Sequence, residues 1–447
     1  MKKTVVLFVA ILGCLSSAYA QEAPASKEGI QFFEGTWSQA LAKSKETGKP
    51  IFIDVYTTWC GPCKMMAKEI FPKKEVGDKY NAAFINYSID AEKGEGKELA
   101  KKYAVRAYPT FLYVKADEEL VYRGAGYNPD PKPFLDLADR AIEETKNPIT
   151  LSQLEKEYAD GKREKEFLTT LLKRKAALEL ADPKLLDDVI ATLSNEEIVS
   201  AELAPPILKS LTTSDCKAFE LVLANLEKFP SKPIAENALV QAITSDWRVA
   251  IKDKNEALFN KILVNANRIP NKPAYFEEMM LQYKLKYFTA MNNISLLMEA
   301  ARELSKEGMN ITAEKIAQKN KEQYDKVMQP FFDGKRDSTK VQDFSKMKEY
   351  YQTAYSKSLA GKLNIAAWSL IEAKVADKKL LQEGLTWSEK SLVLHKDVPN
   401  YIDTKAQILY RMGKKTEGIA LEEKAHALDP QNKEWPDVIQ KMKDGTL

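Results

Sequence analysis

The chain has 447 residues, of which 67 are lysine or arginine and 64 are aspartate or glutamate. This length predicts two or three domains, and the apolar content allows a sizeable core without disulfide staples. The near balance of charge argues against a nucleic-acid-binding protein and against a protein that binds acidic substrates.

The first twenty residues have the pattern of an export signal. Lys2 and Lys3 form a basic region, residues 4–12 an apolar core, and Ala18-Tyr19-Ala20 a small-x-small cleavage site. We therefore expect a signal peptide over residues 1–20 and an exported, periplasmic protein. Removal of the two lysines leaves 65 of the 67 basic residues against 64 acidic ones.

A second interpretation of the N-terminus concerns Cys14. Ile11-Leu12-Gly13-Cys14 resembles a weak bacterial lipoprotein box, in which Cys14 would carry a lipid and tether the protein to a membrane. No other stretch is apolar over the length that a membrane span needs. In the export interpretation, a polar tail over residues 21–29 opens the mature chain.

The next elements lead to a pair of cysteines. Ile30 to Phe33 predicts a short edge strand, and Thr36 caps a helix that runs to about Lys45. The apolar residues 50–56 predict a buried strand that contains Asp54. Residues 65–70 predict a helix.

Cys60 and Cys63 lie at the turn between that strand and that helix. Two cysteines separated by two residues form a dithiol that can close a disulfide and reopen it. Cys60 would lie at the helix N-terminus, where unpaired N–H groups and the helix dipole favour a thiolate. Cys63 would lie about one turn further in and would be the less exposed thiol.

Half of a zinc site is the alternative for this pair. Zinc needs four ligands, and the sequence offers only His395 and His426 and no second close pair of cysteines. We therefore favour redox chemistry, with no metal and no cofactor other than the redox-active disulfide. Cys216 is expected to be a buried or incidental thiol.

After the dithiol, helical and strand patterns alternate. They predict helices and strands over residues 73–80 (helix), 83–89 (strand), 97–103 (helix), 110–114 and 120–123 (hairpin), and 131–145 (helix). The predicted order is β-α-β-α-β-α-β-β-α.

These elements and three motifs resemble the thioredoxin superfamily over residues 30–147. The motifs are Trp59-Cys60-Gly61-Pro62-Cys63-Lys64, Asp54 six residues before Cys60, and Val105-Arg106-Ala107-Tyr108-Pro109-Thr110. The resemblance implies an α/β thioredoxin-like fold. It also implies that Cys60 attacks a substrate disulfide and that Cys63 then resolves the mixed disulfide.

The resemblance implies a catalytic role for Asp54. Burial inside a central strand would raise the pKa of this carboxyl, which suits it to take the proton of Cys63. Many thioredoxins pair this group with a lysine on the neighbouring strand, and the aligned position here holds Asn86.

Substrate binding would fall to residues around the dithiol. The resemblance implies that Pro109 is cis and exposes the backbone of Tyr108 for strand-like pairing with substrate. Trp59, Gly61 and Pro62 would line the same surface.

Beyond residue 147 the strand pattern ends and helix starts recur. Thr150 with Gln153 and Ser194 with Glu197 have the spacing of capping boxes, and Asp182-Pro183 has the pattern of a cap and first helical residue. We therefore expect an all-α array over residues 148–447.

The end of this array contains a repeat. Glu383-Gly384-Leu385 recurs 34 residues later as Glu417-Gly418-Ile419, which is the spacing of tetratricopeptide repeats. We expect such repeats over about residues 365–432.

Together these patterns predict an exported thiol-disulfide oxidoreductase that reduces protein disulfides. Gly61-Pro62 between the cysteines favours the reducing direction, since thioredoxin with this pair has a potential of about −270 mV. A membrane-borne dithiol would then donate electrons. The alternatives are a disulfide isomerase, chaperone or oxidase, or a protein-binding helical module in which the redox domain is secondary.

Overall fold

The computed structural model describes residues 28–341 and 343–447. They divide into two compact units: residues up to Ile198 with Pro205–Ser210, and Val199–Ala204 with Leu211–Leu447. The boundary that the sequence places at residues 147 and 148 remains a prediction.

Most of the predictions for the N-terminus concern residues that the structure does not describe. The signal peptide, the alternative lipidation site at Cys14 and most of the 21–29 tail lie outside the described part of the chain. Within the described part, no helix combines the length and apolar character of a membrane span.

A four-stranded mixed sheet organises the first unit. Its spatial order is β2-β1-β3-β4, where β1 is Ile51–Tyr56, β2 is Ile85–Asp90, β3 is Thr110–Val114 and β4 is Leu120–Ala125. β1 runs parallel to β2 and antiparallel to β3, which pairs with β4 in an antiparallel hairpin. The Ile-Phe-Ile-Asp-Val run forms the central strand because its side chains are buried on both faces.

Five helices surround this sheet. They are α1 (Trp37–Thr47), α2 (Gly61–Met65), α3 (Lys74–Ala83), α4 (Glu95–Lys102) and α5 (Lys132–Thr145), and a π-helical turn, Met66–Ile70, continues α2. The predicted α/β thioredoxin-like fold is confirmed. The predicted edge strand over residues 30–33 is wrong: there Phe32 forms an isolated bridge with Asn86, and α1 begins a few residues later at the Thr36 capping box.

An aromatic cluster fills the space beneath the sheet. Phe52, Phe111 and Tyr113 from the strands meet Tyr80 of α3 and Phe134 of α5. The rings of Tyr80 and Phe134 stack with centroids 4.5 Å apart. The Tyr80 hydroxyl donates to the Phe134 carbonyl (2.9 Å) and lies 2.7 Å from the Tyr113 hydroxyl, so its buried polar atom is satisfied.

Helices form the rest of the described chain, as the sequence predicts. Their bounds are α6 Leu151–Ala159, α7 Lys165–Ala177, α8 Pro183–Ile190, α9 Asn195–Ile198, α10 Ala204–Ser210, α11 Lys217–Ala224, α12 Lys232–Asp253, α13 Glu256–Arg268, α14 Phe276–Ala290, α15 Ile294–Asn310, α16 Ala313–Phe332, α17 Phe344–Tyr351, α18 Ala354–Glu372, α19 Lys378–Leu394, α20 Pro399–Arg411, α21 Lys415–Leu428 and α22 Trp435–Asp444. The predicted caps at Thr150, Asp182 and Ser194 are confirmed, since each side chain accepts a hydrogen bond from a backbone N–H three residues on.

The first two of these helices, α6 and α7, contact the unit that contains the sheet. The Leu151 N–H at the start of α6 donates to Glu119 Oε1 at 2.9 Å. Arg174 of α7 pairs with Glu144 of α5. The chain after α5 therefore continues the first unit.

Two glycines 34 residues apart occupy similar positions in the second unit. A Cβ placed on Gly384 of α19 would lie 2.8 Å from Leu370 Cδ2 of α18. A Cβ placed on Gly418 of α21 would lie 2.8 Å from Ala406 O of α20. Each glycine lets its helix approach the preceding one, which gives the sequence repeat a packing reason. Membership of the tetratricopeptide family stays a prediction.

Gly418→Ala is expected to lower the free energy of unfolding by about 1–3 kcal/mol, because its methyl group meets backbone that cannot move aside. Gly361→Ala in α18 is the matched control. Its Cβ would lie 3.6 Å from the Tyr401 hydroxyl, so that change should stabilise the helix by about 0.5–1 kcal/mol. Urea unfolding of the full chain measures both; equal effects would contradict the packing argument.

Candidate redox site

The two cysteines of the motif are bonded to each other. Cys60 is the N-cap residue of α2, and Cys63 lies in its first turn. Their sulfurs form a disulfide, with Cα atoms 5.3 Å apart. The Cys63 N–H donates a hydrogen bond to Cys60 Sγ at 3.1 Å, so a helix N–H group faces the sulfur that the sequence assigns as nucleophile.

The burial of the cysteines differs from the prediction. Cys60 is 3% exposed and Cys63 is 7% exposed, so Cys63 is not the less exposed of the two. Cys63 lines a cavity that Cys60 does not line.

This cavity has a volume of about 330 Å³ and joins Cys63 to Asp54. Its walls are largely apolar, with Lys64 contributing a cation from α2. The other lining residues are Phe32, Tyr56, Thr57, Thr58, Ala67, Phe71 and Ser88. Cys63 and the Asp54 carboxyl group thus line the same mostly apolar cavity, where electrostatic interactions are stronger than in water.

Asp54 is buried, as predicted. It is 5% exposed, and burial raises the pKa of its carboxyl to about 7, while a hydrogen bond from Ser88 opposes that rise. The Ser88 hydroxyl donates to Oδ2 at 2.9 Å. The other oxygen, Oδ1, has no hydrogen-bond partner among the described residues. The carboxyl therefore changes its charge near neutral pH and has one oxygen available.

The β2 residue opposite Asp54 is Ser88, and Asn86, the position that the resemblance aligns with the lysine of other thioredoxins, lies two residues earlier on that strand. The parallel register pairs Asp54 with Ser88 and Phe52 with Asn86. The Asn86 amide instead donates to Asn81 Oδ1 at 2.9 Å.

An aromatic pair stands at the surface beside the disulfide. Trp59 is 65% exposed, and its ring meets that of Tyr108 edge to face, with centroids 6.0 Å apart. The Trp59 indole N–H donates to Glu92 Oε1 at 3.0 Å. The Tyr108–Pro109 peptide bond is cis, which confirms that prediction.

Gly61 and Pro62 are exposed, so they lie where a substrate chain could reach them. Cys216 belongs to the second unit, where its thiol donates to the Thr213 carbonyl at 3.3 Å. No group of three or more His, Cys, Asp and Glu residues is arranged for a metal ion within residues 28–341 and 343–447.

Sequence reasoning missed Ser88, Thr57 and Glu92. Ser88 could have been found by pairing the two six-residue strands from their first residues, Ile51 and Ile85. That register sets the fourth residue of one strand, Asp54, opposite the fourth residue of the other, Ser88. Thr57 directly follows β1, and its buried hydroxyl also lacks a hydrogen-bond partner among the described residues. Nothing in the sequence pattern ties Glu92 to Trp59, because a loop sets that contact.

Comparison with known proteins places this site among thioredoxins. The thioredoxin-like domain family matches residues 37–142. Thioredoxin Asp f 29 of Aspergillus fumigatus is 37% identical over 100 residues, which are 22% of this chain and 83% of that protein. Thioredoxin H4 of Arabidopsis thaliana is 38% identical over 82 residues, 18% of this chain and 65% of that protein.

A solved structure is also similar to part of this chain. The solution structure of a candidate disulphide isomerase from Bacteroides thetaiotaomicron is 39% identical, with a TM-score of 0.24, and covers 28% of this chain and all of that one. The chain spans less than two thirds of the length of several curated relatives, including thioredoxins of Arabidopsis thaliana, rice and Drosophila melanogaster.

Proposed function

This chain belongs to the thioredoxin family, and from that premise we propose that it reduces protein disulfides outside the cytoplasm. One observation carries the proposal: Cys60 and Cys63 form a disulfide at a helix start, and Cys63 shares its cavity with Asp54. This arrangement supplies a nucleophile, a resolving thiol and a base.

The first step is attack by the Cys60 thiolate on one sulfur of a substrate disulfide. A bond forms between Cys60 Sγ and that sulfur, the substrate S–S bond breaks, and the second substrate sulfur leaves as a thiolate that takes a proton from water. The Cys63 N–H favours the Cys60 thiolate by donating to it.

The second step releases the substrate. Asp54 takes the proton of Cys63, and the Cys63 thiolate attacks Cys60 Sγ. The Cys60–Cys63 disulfide forms, and the first substrate sulfur leaves and is protonated. The substrate has then gained two electrons from the enzyme dithiol. One of its two protons comes from water in the first step, and the other is the Cys63 proton, which Asp54 gives up to the leaving sulfur.

A dithiol donor has to restore the reduced enzyme, and an exported enzyme would take electrons from a membrane-borne dithiol. The signal-like residues 1–20 support a periplasmic location. The redox-active disulfide needs no further cofactor in this chemistry. The helical array would supply contacts to protein substrates.

Insulin reduction with dithiothreitol and the reduction potential of the Cys60–Cys63 couple test this function. We expect turnover and a potential near about −270 mV, because Gly61-Pro62 separates the cysteines. A potential above about −180 mV would instead support an isomerase or oxidase. No turnover would support a binding module in which the redox domain is secondary.

A further inference from the structure

Ser88 and Asp54 are neighbours across the two parallel strands. The register sets their Cα positions opposite each other, and the Ser88 hydroxyl donates to Asp54 Oδ2 at 2.9 Å. Both side chains line the cavity that Cys63 also lines. Ser88 therefore contacts the base of the second step directly.

Among the described residues near Asp54, Ser88 is the hydrogen-bond partner of its carboxyl group. On β3 the opposite residue is Phe111, which carries no charge. Cys63 and Lys64 of α2 and Tyr56 of β1 line the cavity. Asp90, two residues beyond Ser88 on β2, pairs with Lys93 at 3.0 Å. Burial and the Ser88 hydroxyl are the influences that set the charge of Asp54.

A hydroxyl that donates to a carboxylate does two things. It favours the ionised carboxylate over the neutral acid, and it fixes which oxygen is occupied. Here Oδ2 is occupied, and Oδ1 has no hydrogen-bond partner among the described residues. The bond thus occupies Oδ2, leaves Oδ1 able to accept a hydrogen bond, and opposes the effect of burial on the pKa.

We propose that Ser88 is a positioning residue for the second step, whose hydroxyl holds Oδ2 of Asp54 so that Oδ1 receives the Cys63 proton. This inference rests on the proposed reductase function. The Cys63 S–H bond breaks, the proton passes to Asp54, and the electron pair left on Cys63 forms the bond to Cys60. The bond between Cys60 and the substrate sulfur breaks at the same time, and that sulfur leaves as a thiolate.

Ser88→Ala, with Ser88→Thr as the variant that keeps the hydroxyl, tests the role. In wild type, insulin reduction should rise with pH through about 7, as Asp54 ionises. Ser88→Ala should move this midpoint up by about 1 pH unit, which lowers the rate at pH 6 about tenfold and leaves the rate at pH 9 unchanged. Ser88→Thr should keep the wild-type midpoint.

Two further measurements separate positioning from a general structural effect. In an Asp54→Asn background, Ser88→Ala should cause no shift of the pH profile, because the titrating group is absent. Infrared difference spectra against Asp54→Asn isolate the carbonyl band of protonated Asp54, and its titration should move upward in Ser88→Ala. This infrared titration can be measured without any reduction of insulin.

An unmoved infrared midpoint in Ser88→Ala overturns the role of Ser88 whether or not insulin is reduced. A Ser88→Thr profile like that of Ser88→Ala, or an equal shift in the Asp54→Asn background, also overturns it. Absence of insulin reduction by the wild type overturns the proposed function, and the infrared titration tells the two failures apart.

Discussion

Replacing Cys63 with serine is expected to convert this protein into a covalent trap for its substrates. The first step needs only Cys60, so the mixed disulfide still forms. Release needs a thiol that attacks Cys60 from within the same helix turn. Because well-placed intramolecular groups have very high effective concentrations, loss of Cys63 should slow release by about 10³-fold or more. Non-reducing gels and mass spectrometry of extracts would detect the adducts.

The matched control is Cys60→Ser, which keeps Cys63 but removes the nucleophile. It should form few adducts, since the helix N–H group that favours a thiolate donates to the sulfur of Cys60, which this variant lacks. Both variants are made with Cys216→Ser, which removes the thiol of the second unit. Equal trapping by the Cys60→Ser and Cys63→Ser proteins would contradict the assigned order of attack.

The second large effect concerns stability and lies at Glu422 of α21. This residue is completely buried. Burial and the neighbouring Asp403 charge raise the pKa of Glu422 to about 9, and burial also raises the pKa of Asp403. Gln407 donates to Asp403 Oδ1 at 2.7 Å. At neutral pH folding therefore has to protonate Glu422, which is ionised in the unfolded chain.

Glu422→Gln should raise the free energy of unfolding by about 2–3 kcal/mol at pH 7–8, because glutamine needs no proton to be buried. The sign follows from the raised pKa. The contribution of Glu422 to stability is complete below about pH 4.5, the pKa of an ordinary glutamate. It is lost as the pH rises towards 9, the pKa in the folded protein. Wild type should thus lose stability between pH 5 and pH 8, and the variant should lose less.

Urea unfolding of the full chain at the two pH values measures the difference. Glu417→Gln is the control, because Glu417 is exposed on the same helix and should change stability by less than about 0.5 kcal/mol. A Glu422→Gln protein that is less stable than wild type at pH 8 would mean that the ionised carboxylate is the folded form.

Local sequence patterns were enough to predict the strand and the helix that carry the site. An apolar run, a dithiol and a helix follow one another within twenty residues, so the strand, the Cys60 N-cap and the buried Asp54 are all short-range features. The cis bond before Pro109 was predicted by family resemblance and needed no long-range contact.

Long-range pairing explains what was not predicted. Whether Asp54 meets Asn86 or Ser88 depends on the register of two strands that are about thirty residues apart, and sequence alignment to a motif does not fix it. The cavity that Cys63 lines depends on Phe32 and Phe71, from distant segments. Glu422 was assigned no role because glutamate is normally a surface residue.

The bonds from α6 and α7 to the sheet bear on how this protein can be dissected. A protease that cuts after residue 147, or a clone that stops there, would remove the N–H that Glu119 accepts and the arginine that pairs with Glu144. It would also strip away Leu151 and Leu154, both buried, and uncover the surface they protect. An excised catalytic fragment therefore has to carry the first helices of the array with it.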